Sequence, residues 1–133
     1  MERRKEIIEV LMSEWIIILN LTNWEISFNL VSEKELQEML GETQGTILGC
    51  NNYDYYSKKS TISFLEDMPI KEVKNTVIHE LLHLVFSEID RIEINTSNNK
   101  FRNRVYVDAL EVAVNSLSKA FIMAGEKCEI NIT

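Results

Sequence analysis

Two histidines and a glutamate stand together in His79-Glu80-Leu81-Leu82-His83, and the chain has no histidine elsewhere. On a helix, residues four apart lie one above the other on a single face. His79 and His83 can then aim two imidazole nitrogens at one point, as the first two ligands of a tetrahedral Zn²⁺ site must. Glu80 sits beside the first histidine, where its carboxylate can reach a metal-bound water and act as general base. The surrounding run, Val77 to Leu84, is otherwise apolar. Burying these three polar groups without partners would be costly, and one divalent cation answers all three. The plainer alternative is a pair of hydrogen-bonded core histidines. The register of all three groups weighs against it.

A catalytic zinc site takes three protein ligands and a water. With no third histidine, the third ligand must be a carboxylate or a cysteine. Glu88 points off the histidine face, and Asp90 lies two turns beyond His83. Asp108 and Glu111 are three apart near the C-terminal end of the chain, on neighbouring positions of a helical face. Glu111 stands in the apolar run Ala109 to Val114, so its carboxylate is expected to face inward towards something positive. Glu111 is the leading candidate, Asp108 the next, and Cys128 a third. Asn115, one turn beyond Glu111, is placed to hydrogen-bond a ligating histidine.

These groups need elements to hold them. Residues Glu2 to about Asn20 carry apolar side chains at helical spacing, from Ile7 to Leu19, with Thr22-Asn23 as a stop. Core packing explains that face better than a membrane surface or a partner helix. Trp24, Ile26, Phe28 and Leu30 alternate with polar residues, which predicts a strand over Trp24 to Val31. Ser32 and Glu35 form a capping-box pattern for a short helix that Gly41 would end. Gly45 to Tyr56 and Ser60 to Leu65 read as a hairpin across Ser57 to Lys59, with Tyr53, Tyr55 and Tyr56 near its tip. Tyrosines suit strand surfaces, and that reading is preferred over a ligand site. Pro69 opens a helix running to about Ile89, apolar nearly all round and therefore buried. Arg91 to Arg104 reads as a polar surface loop. The last helix spans Val105 to Ala124, with Leu110, Val114, Leu117 and Phe121 at helical spacing and Gly125 as its stop. The fold class is α+β in one domain over residues 1–133.

The 133 residues suit one core, and 45% hydrophobic with 26% charged residues is ordinary for a globular protein. The net charge of -7 disfavours non-specific nucleic-acid binding, which relies on Lys and Arg neutralising phosphates. Cys50 and Cys128 have no CxxC spacing, so reduced thiols in a cytoplasm are expected. The apolar run Trp15 to Leu19 is too short to span a bilayer and lacks a cleavage site, so no membrane role is expected. The glycosylation patterns at Asn20, Asn95 and Asn131 read as coincidence in that setting.

Taken in order, the chain resembles the small single-domain zinc metallopeptidases of phages and mobile elements, related to the SprT-like and ImmA-like minimal zincins. The resemblance is carried by Leu21 to Ile26, Tyr53 to Phe64, Ile78 to Leu84 and Glu111 to Leu117, and spans most of residues 15–121. It implies an N-terminal helix, a small mixed three-stranded sheet, an active-site helix and a glutamate ligand on the last helix. Carried onto this chain, the ligands are His79, His83 and Glu111 for one Zn²⁺ ion, and the general base is Glu80. The extended pattern with a third histidine is absent.

The function expected is hydrolysis of a peptide bond in a protein or peptide substrate, laid as a strand along the edge of the 45–65 hairpin. Tyr106 or a hairpin tyrosine is the candidate for stabilising the oxyanion. The first alternative is a non-catalytic regulatory or interaction module whose metal site is closed by Asp108 or Cys128. The second is an interaction protein without metal. A nuclease fits the acidic balance least.

Overall fold

The computed structural model describes residues 2–40, 47–87 and 100–132. Helix α1 (Glu2–Ile18) buries Ile8, Met12 and Trp15 along one stripe and leaves Val10 and Ile17 in solvent. It ends sooner than Thr22-Asn23 suggests. Asn20 takes a left-handed conformation, φ 58°, while its N–H donates to the Ile17 carbonyl and the Leu21 N–H donates to the Ile16 carbonyl. This paired closure satisfies carbonyls that the helix itself leaves open, and asparagine is one of the few side chains that tolerates the geometry. Leu21, the next residue, is buried behind it.

Strand β1 (Glu25–Val31) shows the expected alternation, with Ile26, Phe28 and Leu30 half-buried and Glu25, Ser27 and Asn29 exposed. Helix α2 (Glu33–Leu40) opens with the predicted capping box. The Glu35 N–H donates to Ser32 Oγ at 3.2 Å, and Glu35 Oε1 accepts from the Ser32 N–H at 3.4 Å. Strands β2 (Gly49–Asp54) and β3 (Lys59–Leu65) form the hairpin, antiparallel, with Asn51 opposite Ile62. Lys58 turns the corner at φ 56°, with its ammonium over the Tyr55 ring at 3.5 Å.

The strand order is β1-β3-β2, with β1 parallel to β3, so the sheet is mixed. A parallel neighbour requires a crossover, and α2 lies on that connection. As the middle strand, β3 is the most buried, with Ile62 and Phe64 fully enclosed. β2 keeps one hydrogen-bonding edge unpaired within the sheet.

Helix α3 (Ile70–Val85) carries the histidine motif and buries Val73, Val77, Ile78, Leu81, Leu82 and Leu84. Pro69 is its N-cap rather than its first residue. α1, β2 and the last helix, α4 (Lys100–Ile132), all pack against it. Trp15 of α1 also meets Phe121 of α4 edge to face, ring centroids 5.6 Å apart. α4 is longer than expected at both ends. It starts within the stretch read as loop and passes through Gly125 without stopping. Lys100 to Arg104 contains neither Pro nor Gly to break a helix, and an interior glycine costs a helix only about 1 kcal/mol. α3 ends at Val85 with Phe86 as its C-cap, short of the expected Ile89, and β2 starts at Gly49 rather than Gly45 and ends at Asp54 rather than Tyr56. The expected stop at Gly41 and the loop over 91–99 lie outside the described residues.

The protein is α+β, with four helices and a three-stranded mixed sheet among the described residues. No helix among those residues is long and apolar enough to cross a membrane. The Asn20 geometry can be checked by urea unfolding. Asn20→Gly should hold or slightly raise stability, whereas Asn20→Val should lower it by about 1–2 kcal/mol, because a β-branched side chain resists positive φ.

Candidate metal centre

α3 presents His79 and His83 one turn apart on the face turned towards α4, their rings 5.1 Å apart and steeply inclined. α4 presents Glu111 to both. Glu111 Oε2 lies 3.4 Å from His79 Nε2, and Oε1 lies 2.9 Å from His83 Nε2. One donor atom from each of the three residues falls within 4.8 Å of the others, close enough to hold a metal ion. Tetrahedral ligands about 2.0–2.1 Å from zinc stand about 3.4 Å apart, which is near the two separations from Glu111 to the imidazoles. The donor set of two imidazoles and a carboxylate suits zinc and its neighbours among the transition metals.

Asn115, one turn along α4 from Glu111, accepts a hydrogen bond from His79 Nδ1 at 2.9 Å. An amide oxygen can only accept, so Nδ1 carries a proton and Nε2 is the ring nitrogen that faces the cluster. The expected role of Asn115 is therefore the one its position gives it. Asp108 is exposed and is not among the converging groups. The side chains of Tyr106 and Cys128, together with Glu88 and Asp90, lie outside the described residues.

Glu80 stands beside His79 on the side of α3 that meets β2, its Cγ close to Gly49. Its side chain is only 7% exposed, and Oε1 lies 3.9 Å from His79 Nε2. Burial pushes its carboxyl up and Glu111 adds to this, with the two imidazoles pulling the other way. Its backbone carbonyl accepts from Asn51 Nδ2 of β2 at 2.8 Å, and Asn51 Oδ1 in turn accepts from Ser60 Oγ at 2.7 Å. The edge strand is thus tied to the helix at the glutamate. Gly49 allows the approach, since a Cβ there would stand 3.3 Å from Thr76 Cγ2 and 3.4 Å from Glu80 Cγ.

Between β2, α3 and α4 lies a cleft of about 550 Å³. His79, Glu80, His83, Glu111 and Asn115 line one side, while Leu48, Gly49, Cys50, Asn51 and Tyr53 line the other. Of the hairpin tyrosines, Tyr53 borders the cleft and also meets Trp24 edge to face. Tyr55 packs on Tyr56 instead. Burial and the nearby Glu80 charge raise the Cys50 thiol, which keeps it protonated.

Three residues of this site escaped the sequence reading. Asn51 and Gly49 lie in a strand, where both types are depleted, and that was the available signal. Ser118 follows Glu111 by two turns on the same face of α4 and is fully buried, so it interrupts the apolar stripe of Val114 and Phe121.

The charges of the cluster balance one another. Burial lowers the His79 imidazole, but the Glu111 hydrogen bond, the Glu80 and Glu111 charges and the Asn115 bond outweigh it, leaving its pKa above the ordinary 6.5. The same two imidazoles hold the Glu111 carboxyl well below the usual carboxylate range. Comparison with protein-family models, curated proteins and solved structures finds no match for this chain.

A raised imidazole contributes stability below its unfolded value and loses it as pH rises through the folded value. The metal-free protein should therefore lose thermal stability from His79 as pH climbs above 6.5. A cation competes with that same proton, so the gain in Tm on adding zinc should grow over the same interval. Thermal melts with zinc and with chelator across pH 6 to 9 (roughly the titration range of a raised histidine) should show these opposite slopes. Parallel slopes would detach the cluster from metal binding.

Proposed function

We propose that this chain is a zinc-dependent metallopeptidase of the minimal-zincin kind. The observation that carries the reading is the convergence of His79, His83 and Glu111 beside a buried Glu80, at the floor of a cleft bounded by an edge strand. Three protein donors is the number found in catalytic zinc sites, where structural sites use four. The resemblance to phage and mobile-element metallopeptidases points the same way.

Zinc bound there would supply Lewis acidity, acidifying a water and polarising the scissile carbonyl. The remaining work belongs to side chains. Glu80 takes the proton from the attacking water at its carboxylate and delivers it to the leaving amine. Its burial favours the protonated form, so it holds that proton between the two steps better than an exposed glutamate would. Asn115 fixes the His79 ring through Nδ1. Glu111 supplies the negative charge that two neutral imidazoles lack. The β2 edge offers backbone hydrogen bonds to a substrate lying in extended form, with Tyr53, Cys50 and the Leu48 side chain along its path.

Glu80→Gln keeps the shape and the Asn51 contact, which is made by backbone, but cannot take a proton. It should bind zinc as the wild type does while peptide hydrolysis falls by roughly 10²–10⁴-fold. Zinc content by elemental analysis and turnover of quenched-fluorescent peptides measure the two halves. Retained turnover would take Glu80 out of the reaction.

A further inference from the structure

Beyond the metal cluster, the two helices that carry it also meet, among the described residues, through a contact between Ser118 and Asn75. Ser118 of α4 is fully buried, and its hydroxyl faces Asn75 of α3, one turn before His79. Ser118 Oγ stands 2.5 Å from Asn75 Oδ1 and 3.1 Å from the Asn75 backbone carbonyl. The shorter distance is within the O–H···O range and too short for N–H···O. The hydroxyl therefore donates to the side-chain oxygen and fixes which way the amide is turned. With Oδ1 committed to Ser118, the Nδ2 group is left with two donors. Asn75 lines the cleft together with His79, Glu80 and Asn51, and nothing among the described residues accepts from Nδ2.

We propose that Asn75 is a substrate-binding residue, donating from Nδ2 to a backbone carbonyl of the bound peptide, and that Ser118 is the positioning residue that holds the amide for it. This rests on the metallopeptidase reading and deepens it. The carbonyl is the one next to the bond that is cut. One helical turn is about 5.4 Å, more than the 3.2–3.4 Å per residue of an extended chain. A donor one turn from His79 is thus level with a flanking residue rather than with the reacting carbon. A contact made equally before and during the reaction lowers KM and leaves kcat alone.

Asn75→Asp tests this, because it keeps the oxygen that Ser118 needs and removes the donor. With the zinc-loaded protein and a quenched-fluorescent peptide pool, Asn75→Asp should raise KM about tenfold, the weight of one neutral hydrogen bond, with kcat within about twofold. Zinc affinity, from competition with a fluorescent chelator, should stay at the wild-type value. Ser118→Ala should raise KM in the same direction, since the freed amide can turn away. An unchanged KM in Asn75→Asp, a fall confined to kcat, or a loss of zinc affinity in step with turnover would each overturn the assignment. An unchanged KM in Ser118→Ala would remove the positioning role. Should Asn75→Asp fail to fold, the double variant Asn75→Ala/Ser118→Ala leaves no buried hydroxyl without a partner, and the same rise in KM is required of it. Failure of the peptidase reading itself would show separately, as no cleavage by the zinc-loaded wild type.

Discussion

The arrangement depends on a single carboxylate reaching across two helices. Glu111 comes from α4, and both imidazoles come from α3, so the cluster exists only while the two helices are docked. Two histidines a turn apart on a helix are a local fact of sequence. Their meeting with Glu111 is a tertiary one, and it rests on the burial of Val114 and Ser118 against α3. The apolar core therefore does more than stabilise the fold. It brings a negative charge within hydrogen-bond range of groups that would otherwise have only each other.

The opposite wall is set just as tightly, by different means. β2 approaches α3 because Gly49 has no side chain to hold it off, and because Asn51 bonds the Glu80 carbonyl. The Ser60 hydroxyl turns the Asn51 amide the right way. Glu80 is thus buried between a helix and a strand that are fixed to each other at its own backbone. Its raised carboxyl follows from that enclosure rather than from any one neighbour.

Much of this was legible in the residues, and the limits have physical causes. The motif could be read because helical spacing alone puts His79 and His83 on one face. Glu111 could be read because a carboxylate in an apolar run needs a partner, and Asn115 because it stands one turn on. The capping box at Ser32 and the alternation of β1 are likewise local. Asn20 was missed as a helix terminator because asparagine closes helices less often than glycine, and Thr22-Asn23 offered a more conventional stop. The length of α4 was missed because Gly125 weakens a helix without ending it, and because polar residues at 100–104 carry no periodicity. Ser118 was invisible for a different reason. A serine on an apolar stripe is unremarkable until the residue facing it is known, and nothing near it in the chain points to Asn75.

Among the described residues, the polar contacts between these helices form an antiparallel ladder, with Ser118 on Asn75, Asn115 on His79, and Glu111 on His83 and His79. Their rungs are chemically unlike. If α4 slid by one turn towards its own N-terminal end, Asn115 would face His83, the serine would face His79, and Glu111 would run past the histidines with Asn75 left bare. Apolar side chains alone would tolerate that mistake, since leucine, valine and phenylalanine pack in many registers. The ladder makes each wrong alignment leave a hydroxyl, an amide or a carboxylate stranded, so the helix pair has one assembly it can recognise as complete.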